Sequence, residues 1–289
     1  MTRRLNLLDF LTATFITIII LMLIFFYARF LHGWQLLLGY IILLLLVLFI
    51  SYARERWSEI KMVRVLCDFS PIFFILAIFE LLGGITPYVR PDIDNLLIKV
   101  DMVLFGVHPT VWIEDFFIPW VADILALAYI SYYFIPLILM LILYFRGRAD
   151  EFFLTASTLL LGYYICYIAY ILMPAVGPRF TLASMQQIPL NGGIITNTIV
   201  DILNALEGNK RDCFPSGHTQ IVLVSLWFAF KYRRPLFWIY LPVIIALIIS
   251  TVYLRYHYVI DLIAGIAAAG INILLGQILW SWWVDQRGD

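Results

Sequence analysis

An all-helical membrane bundle of about eight spans is the fold this sequence predicts, and three observations carry the prediction. Hydrophobic residues make up 63% of the 289-residue chain and charged residues only 13%, about half the charged share of a soluble domain. So much apolar surface has to face lipid or other membrane helices. The apolar residues also come in runs near the ~20 residues that cross a bilayer, at roughly 8–28, 34–51, 65–85, 119–145, 152–174, 215–231, 235–255 and 257–283. Finally, the basic residues sort by side. The termini and the even-numbered connections hold twelve Lys and Arg residues, the odd-numbered ones seven.

Each element can be justified in order. The N-terminus, "MTRRLNLLDF", enters a long apolar run without a small-residue cleavage site. It reads as an uncleaved first span with an inside-positive flank. The short turns "FRGRADE" and "KYRRP" are basic and fall on the same side as both termini, so both termini are expected in the cytoplasm and the long connections 86–118 and 175–214 outside. Residues 86–118 alternate apolar patches with acids, prolines and Trp112, a pattern suited to a segment along the membrane interface. Residues 175–214 contain the amphipathic stretch "TNTIVDILNALEGNKRD", read as one short helix. Asp68, Glu80 and Asp123 fall in or at the edge of spans, where a carboxylate needs a partner on a neighbouring helix or in a water-lined space. Three cysteines, Cys67, Cys166 and Cys213, are an odd set and read as free thiols, the last in a loop. The net charge is zero, which leaves no nucleic-acid signature. Nothing reads as a repeat or a soluble domain.

Chemistry concentrates at the outer ends of three spans. Only four histidines are present. His32 and His108 read as flanking and interfacial loop residues. His218 stands in "FPSGHT" at the start of the sixth predicted span, and His257 in "YLRYHYVIDLIAG" at the start of the eighth. Asp261 follows His257 by four residues, one turn deeper on the same helical face. A carboxylate there accepts the proton of one ring nitrogen and leaves the other free as nucleophile or base. Arg179, in "MPAVGPRF", follows the fifth span. Two imidazoles, a carboxylate and a guanidinium at one membrane face suggest a phosphate-handling site, because Arg clamps phosphate oxygens and the glycine turn before a helix offers backbone N–H groups to an anion. The expected geometry is a phosphate-sized gap between the two rings, with His257 within about 2.6–3.2 Å of Asp261.

The pairing of "PSGH" with "HYVIDL" resembles the type-2 phosphatidic acid phosphatase superfamily of membrane lipid phosphatases and phosphotransferases. The resemblance covers residues 65–283, a six-span catalytic domain, and leaves 1–64 as two additional N-terminal spans. It implies that His257 is the nucleophile and forms a phosphohistidine, that Asp261 orients it, and that His218 protonates the leaving oxygen. Ser216, Gly217 and Arg179 would hold the phosphoryl oxygens. Two of the family's usual cations are absent from their places, which Leu172 and Thr251 occupy here. Arg255, Lys210 and Arg211 are the nearby substitutes by sequence. With "GPR" and this altered last motif, the chain looks closest to the inositol phosphorylceramide synthase-like branch, whose members pass a phosphoryl headgroup from one lipid to another acceptor.

The implied partners are a phosphorylated lipid, a second lipid or alcohol acceptor, and the bilayer. No cofactor and no metal is implied, since two histidines and one aspartate do not make an octahedral oxygen cage. A plain phosphatidic acid or polyprenyl pyrophosphate phosphatase is the alternative enzyme. A transporter would carry its ionisable groups near the midplane with repeat symmetry, and a non-catalytic lipid-binding protein would not need the complete His-His-Asp set.

Overall fold

In the computed structural model, residues 6–188, 192–206 and 208–286 are described. Arg3, Arg4 and Arg287, three of the basic residues that set the expected orientation, lie outside them. Every regular element among the described residues is helical. Helix α1 (Leu7–Phe25) starts where the Asn6 side chain accepts from Leu8 N–H, an N-cap bond. Helices α2 (Gly33–Arg56) and α3 (Lys61–Leu82) follow. Helix α4 (Asp94–Phe105) ends at Gly106, whose φ of +71° suits a residue without Cβ. There the chain bends by 69° into the short segment Pro109–Phe116.

The fourth predicted span is two helices, α5 (Pro119–Ile130) and α6 (Phe134–Phe145), joined through the single turn Ser131–Tyr133. Helix α7 (Ala149–Leu172) follows, and then α8 (Ile194–Leu206), the short helix expected in the second long connection. The bundle closes with α9 (Gly217–Tyr232), α10 (Arg234–Tyr253) and α11 (Val259–Asp285).

Seven helices are long and apolar enough to cross a membrane, with the α5–α6 pair counted as one, and the bent segment beginning at α4 would make an eighth. The predicted sixth span is the exception. It forms α9, whose 16 residues rise only about 24 Å against a hydrocarbon thickness of about 30 Å. The physical reason lies in its surroundings: α9 packs on α6, α7, α10 and α11, with Ile221, Val222, Val224 and Phe228 buried. A helix enclosed by protein need not match the lipid. Gly265 permits its close crossing with α11, because a Cβ there would come within 2.7 Å of the Ser216 carbonyl oxygen.

Three of the span acids, Asp9, Asp68 and Asp123, are held by neighbouring helices. The Arg54 guanidinium on α2 binds Asp9 of α1 at 3.3 Å and also pairs with Asp68 of α3. Tyr144 of α6 donates to the second Asp68 oxygen at 3.1 Å. Asp123 of α5 accepts from both the N–H and the hydroxyl of Thr196 at the start of α8.

Candidate active site

The N-terminal ends of α9 and α11 lie side by side, joined by a bond from Ser216 N–H to the Asp261 carbonyl (3.1 Å). Ser216 is the N-cap of α9. Its hydroxyl accepts from Thr219 N–H at 3.3 Å and from the Thr219 hydroxyl at 3.1 Å. His218 is therefore held in the first turn of α9. Gly217 sits against Tyr170 of α7, with 2.5 Å between the Tyr170 hydroxyl and the place a Cβ would occupy.

Helix α11 starts two residues later than predicted. His257 lies ahead of it in the turn, and Asp261 is its third residue. The His257–Asp261 pair thus forms through a helix cap and not along a helix face. Asp261 Oδ2 reaches back to accept from Tyr258 N–H at 2.8 Å, as an acid three residues after an N-cap does, and meets His257 Nδ1 at 3.4 Å. That distance is looser than the expected 2.6–3.2 Å. Asp101 of α4 accepts from Val259 and Ile260 N–H, both at 2.9 Å, fixing the start of α11. Two turns earlier on α4, Asp94 accepts from Val176 N–H, Gly177 N–H and the Tyr258 hydroxyl at 2.8–3.0 Å. One helix of the first long connection therefore positions both the loop before Arg179 and the turn holding His257.

The two imidazoles face one another. His218 Nδ1 and His257 Nε2 are 3.3 Å apart, so the rings make a direct hydrogen bond where a phosphate-sized gap was expected. The cleft beside them has a volume of about 20 Å³, room for about one water. A phosphoryl group would have to part the rings and take over the ends of their hydrogen bond.

Arg179, Lys210, Asp212, Cys213, His218 and His257 line this cleft. The Arg179 guanidinium packs over the Tyr256 ring at 4.7 Å and the Phe180 ring at 4.6 Å, a cation–π arrangement. Lys210 is exposed at the mouth. The other two candidate cations have been drawn elsewhere. Arg255, 4% exposed, pairs with Glu114 at 2.8 Å and binds Gln186 and the Ile188 carbonyl. Arg211 pairs with Asp92 at 2.7 Å. Burial pushes the Asp212 carboxyl above its usual range, while His257 and Arg179 pull the other way.

Several residues at this centre were not singled out from the sequence. Cys213, read there as an ordinary loop thiol, donates to Asp261 Oδ2 at 2.9 Å and lies 3.6 Å from His257 Nδ1. Burial, followed by the Asp261 charge, pushes its pKa well above the usual thiol range, so it serves as a donor. Tyr129 and Tyr132 flank the His218 ring at 4.6 and 4.4 Å, and Tyr129 stacks on Tyr256 at 4.5 Å. The only prior signal was the richness of the "YISYYF" stretch in aromatic residues.

Cys213, His257 and Asp261 place three ligand atoms within 4.8 Å of one another, a set that could hold a metal ion. However, ligands of one tetrahedral zinc with bonds of 2.0–2.3 Å sit about 3.5 Å apart. The 2.9 Å sulfur–oxygen distance is that of a thiol hydrogen-bonded to a carboxylate. Cys213→Ala is accordingly expected to lower kcat with little change in KM, by about ten- to 150-fold if the roughly 1.5–3 kcal/mol of a hydrogen bond to a charged group falls on the orientation of His257. Steady-state kinetics alongside Cys213→Ser, which restores a donor and should recover much of the loss, checks this.

Residues 96–275 match the family model described as PAP2 superfamily. The chain belongs to the PAP2 superfamily. No curated protein and no solved structure matches it. Membership makes it a membrane-embedded phosphatase or phosphotransferase of the lipid type in general terms. The matched stretch contains every residue of the cleft and Asp101 of α4, while Asp94 lies two residues ahead of it and α1, α2 and α3 precede it.

Proposed function

We propose that this PAP2 superfamily chain transfers a phosphoryl or phosphoryl-headgroup unit from a phosphorylated lipid through a phosphohistidine at His257. The observation that carries the reading is the 3.3 Å contact between His218 Nδ1 and His257 Nε2, with His257 Nδ1 facing Asp261. Asp261 favours the tautomer with its proton on Nδ1, which leaves the Nε2 lone pair to attack phosphorus. As the N–P bond forms and the O–P bond breaks, His218 delivers a proton to the departing oxygen. Water or an acceptor alcohol then attacks the phosphohistidine, His218 takes that proton back, and His257 is regenerated. Arg179 and Lys210 are the cations placed to hold the phosphoryl oxygens, with Gly217 N–H at the start of α9 as a backbone donor.

Within the superfamily, the reading extends to inositol phosphorylceramide synthase-like transfer to a second lipid or alcohol, with plain hydrolysis as the alternative outcome of the same intermediate. Residues 65–283 form the six-span catalytic unit, and 1–64 supply the two additional spans. Purified protein, incubated with a headgroup-labelled phospholipid and candidate acceptors, should release labelled phosphate or form a new labelled lipid. A protein that folds and binds lipid but does neither across donor classes would overturn the reading.

The active site is placed on the outer face, with both termini cytoplasmic, on the basic-residue distribution. Single cysteines introduced at Arg148 and Gln187 should then react with an impermeant reagent from opposite sides of sealed cells. Labelling of Gln187→Cys only after permeabilisation would put the site in the cytoplasm.

A further inference from the structure

A cavity of about 490 Å³ opens directly on His218 and Gly217. A second, of about 280 Å³, continues it toward the far end of α3, and the two share Ile75, Leu76, Tyr133 and Tyr163 in their walls. One wall of the whole passage is α3, from Asp68 to Glu80, and the facing walls are α6 and α7. The twelve helical steps from Asp68 to Glu80 rise about 18 Å, close to the ~15 Å hydrocarbon depth of one leaflet. The deep part is almost wholly apolar, while tyrosines gather near His218.

The passage is closed at the far end and open along one side. At the far end, Tyr144 of α6 bonds to Asp68, its ring packs on Phe69 at 5.2 Å, and Arg54 and Asp9 complete a charged floor. Higher up, Leu76 of α3 and Phe134 of α6 are about half exposed, so the space between these helices faces the surrounding lipid. Pro71 and Pro136 both line the deep cavity. Pro71 stands inside α3, where a proline removes a backbone bond and favours a bend, while Pro136 falls in the first turn of α6.

On the reading of His218 and His257 given above, we propose that this passage holds one hydrocarbon tail of the substrate lipid, with the tail's end stopping at the Arg54–Asp68–Asp9 floor. The α3 wall and the charged groups of the floor come from α1, α2 and α3, ahead of residues 96–275 that match the family, while α6 and α7 of the matched stretch supply the facing walls. The N-terminal helices then set which tails the catalytic centre accepts.

The test uses the full chain and two phosphate monoesters with the same headgroup, hexadecyl phosphate and ethyl phosphate. Leu76 lines both cavities and is half exposed, so Leu76→Trp fills the passage without opening the core. The variant should lower kcat/KM for hexadecyl phosphate at least tenfold more than for ethyl phosphate, and equal changes on both overturn the proposal. A second readout does not depend on turnover. A hexadecyl chain carrying a terminal diazirine should crosslink to residues 68–76 or 136–140 at the deep end, and Leu76→Trp should reduce that labelling. Labelling confined to other helices, or unaffected by the substitution, sinks the tail site. Deep-end labelling in a protein that hydrolyses neither ester would uphold the cavity and refute the catalytic reading.

Discussion

His257→Ala is expected to reduce turnover to background on every substrate, activated or natural, a loss of roughly 10⁴-fold or more, as removing a covalent nucleophile commonly causes. The expectation rests on how completely the surrounding structure serves that ring. His257 is 3% exposed, its N–H is tied to the Thr251 carbonyl at 3.0 Å, and its two ring nitrogens face Asp261 and His218. Among the described residues lining the cleft, no other group combines a nucleophilic nitrogen with a carboxylate behind it. The measurement is twofold: steady-state rates, and trapping of labelled phosphate on the quenched protein. Wild type should carry an acid-labile, base-stable label, as a phosphoramidate does, and the variant none. Because Ala leaves only a small void beside the cleft, an unchanged melting profile separates lost chemistry from lost fold. Retention of more than a few per cent of activity would move the nucleophile elsewhere, with His218 the first candidate.

The sequence made much of this architecture legible, and the reason differs from residue to residue. His218, His257 and Asp261 stood out because ionisable groups are scarce at span ends, and their spacing places them at helix starts. The spans stood out because lipid imposes a length on them. Where lipid imposes nothing, that signal fails: α9, enclosed by other helices, stops at 16 residues. The missing family cations show a second limit. Arg255 and Arg211 lie beside cleft residues in the chain, yet Glu114 and Asp92, both from the first long connection, pair with them instead. Cys213, Tyr129 and Asp94 owe their places to contacts between segments distant in the chain, which no local pattern records. Asp94 and Asp101 read only as acids in an interfacial segment, and their two-turn spacing gains meaning once α4 lies across the loop before Arg179 and the start of α11.

His218→Ala is expected to separate substrates by their leaving groups. Its ring is clamped between Tyr129 and Tyr132, with Nδ1 aimed at the His257 nitrogen that would bond to phosphorus. A proton held there lies next to the bond that breaks. A lipid alkoxide is a poor leaving group and needs that proton as the O–P bond lengthens, so the variant should lose about 10²–10⁴-fold on natural esters, the usual worth of a positioned general acid. A nitrophenolate departs without help, so a nitrophenyl ester should still phosphorylate His257 at a rate much nearer that of wild type. The second step then becomes the obstacle, because water or the acceptor alcohol has lost the base that would take its proton. Labelled phosphohistidine should therefore build up in the variant with the activated ester and remain low in wild type. Rapid-quench measurement of bound label, run beside steady-state rates on both ester types, tests the two halves together. Equal losses on activated and natural esters, with no accumulation, would reassign His218 from proton transfer to holding the phosphoryl group, a role its place in the first turn of α9 would also allow.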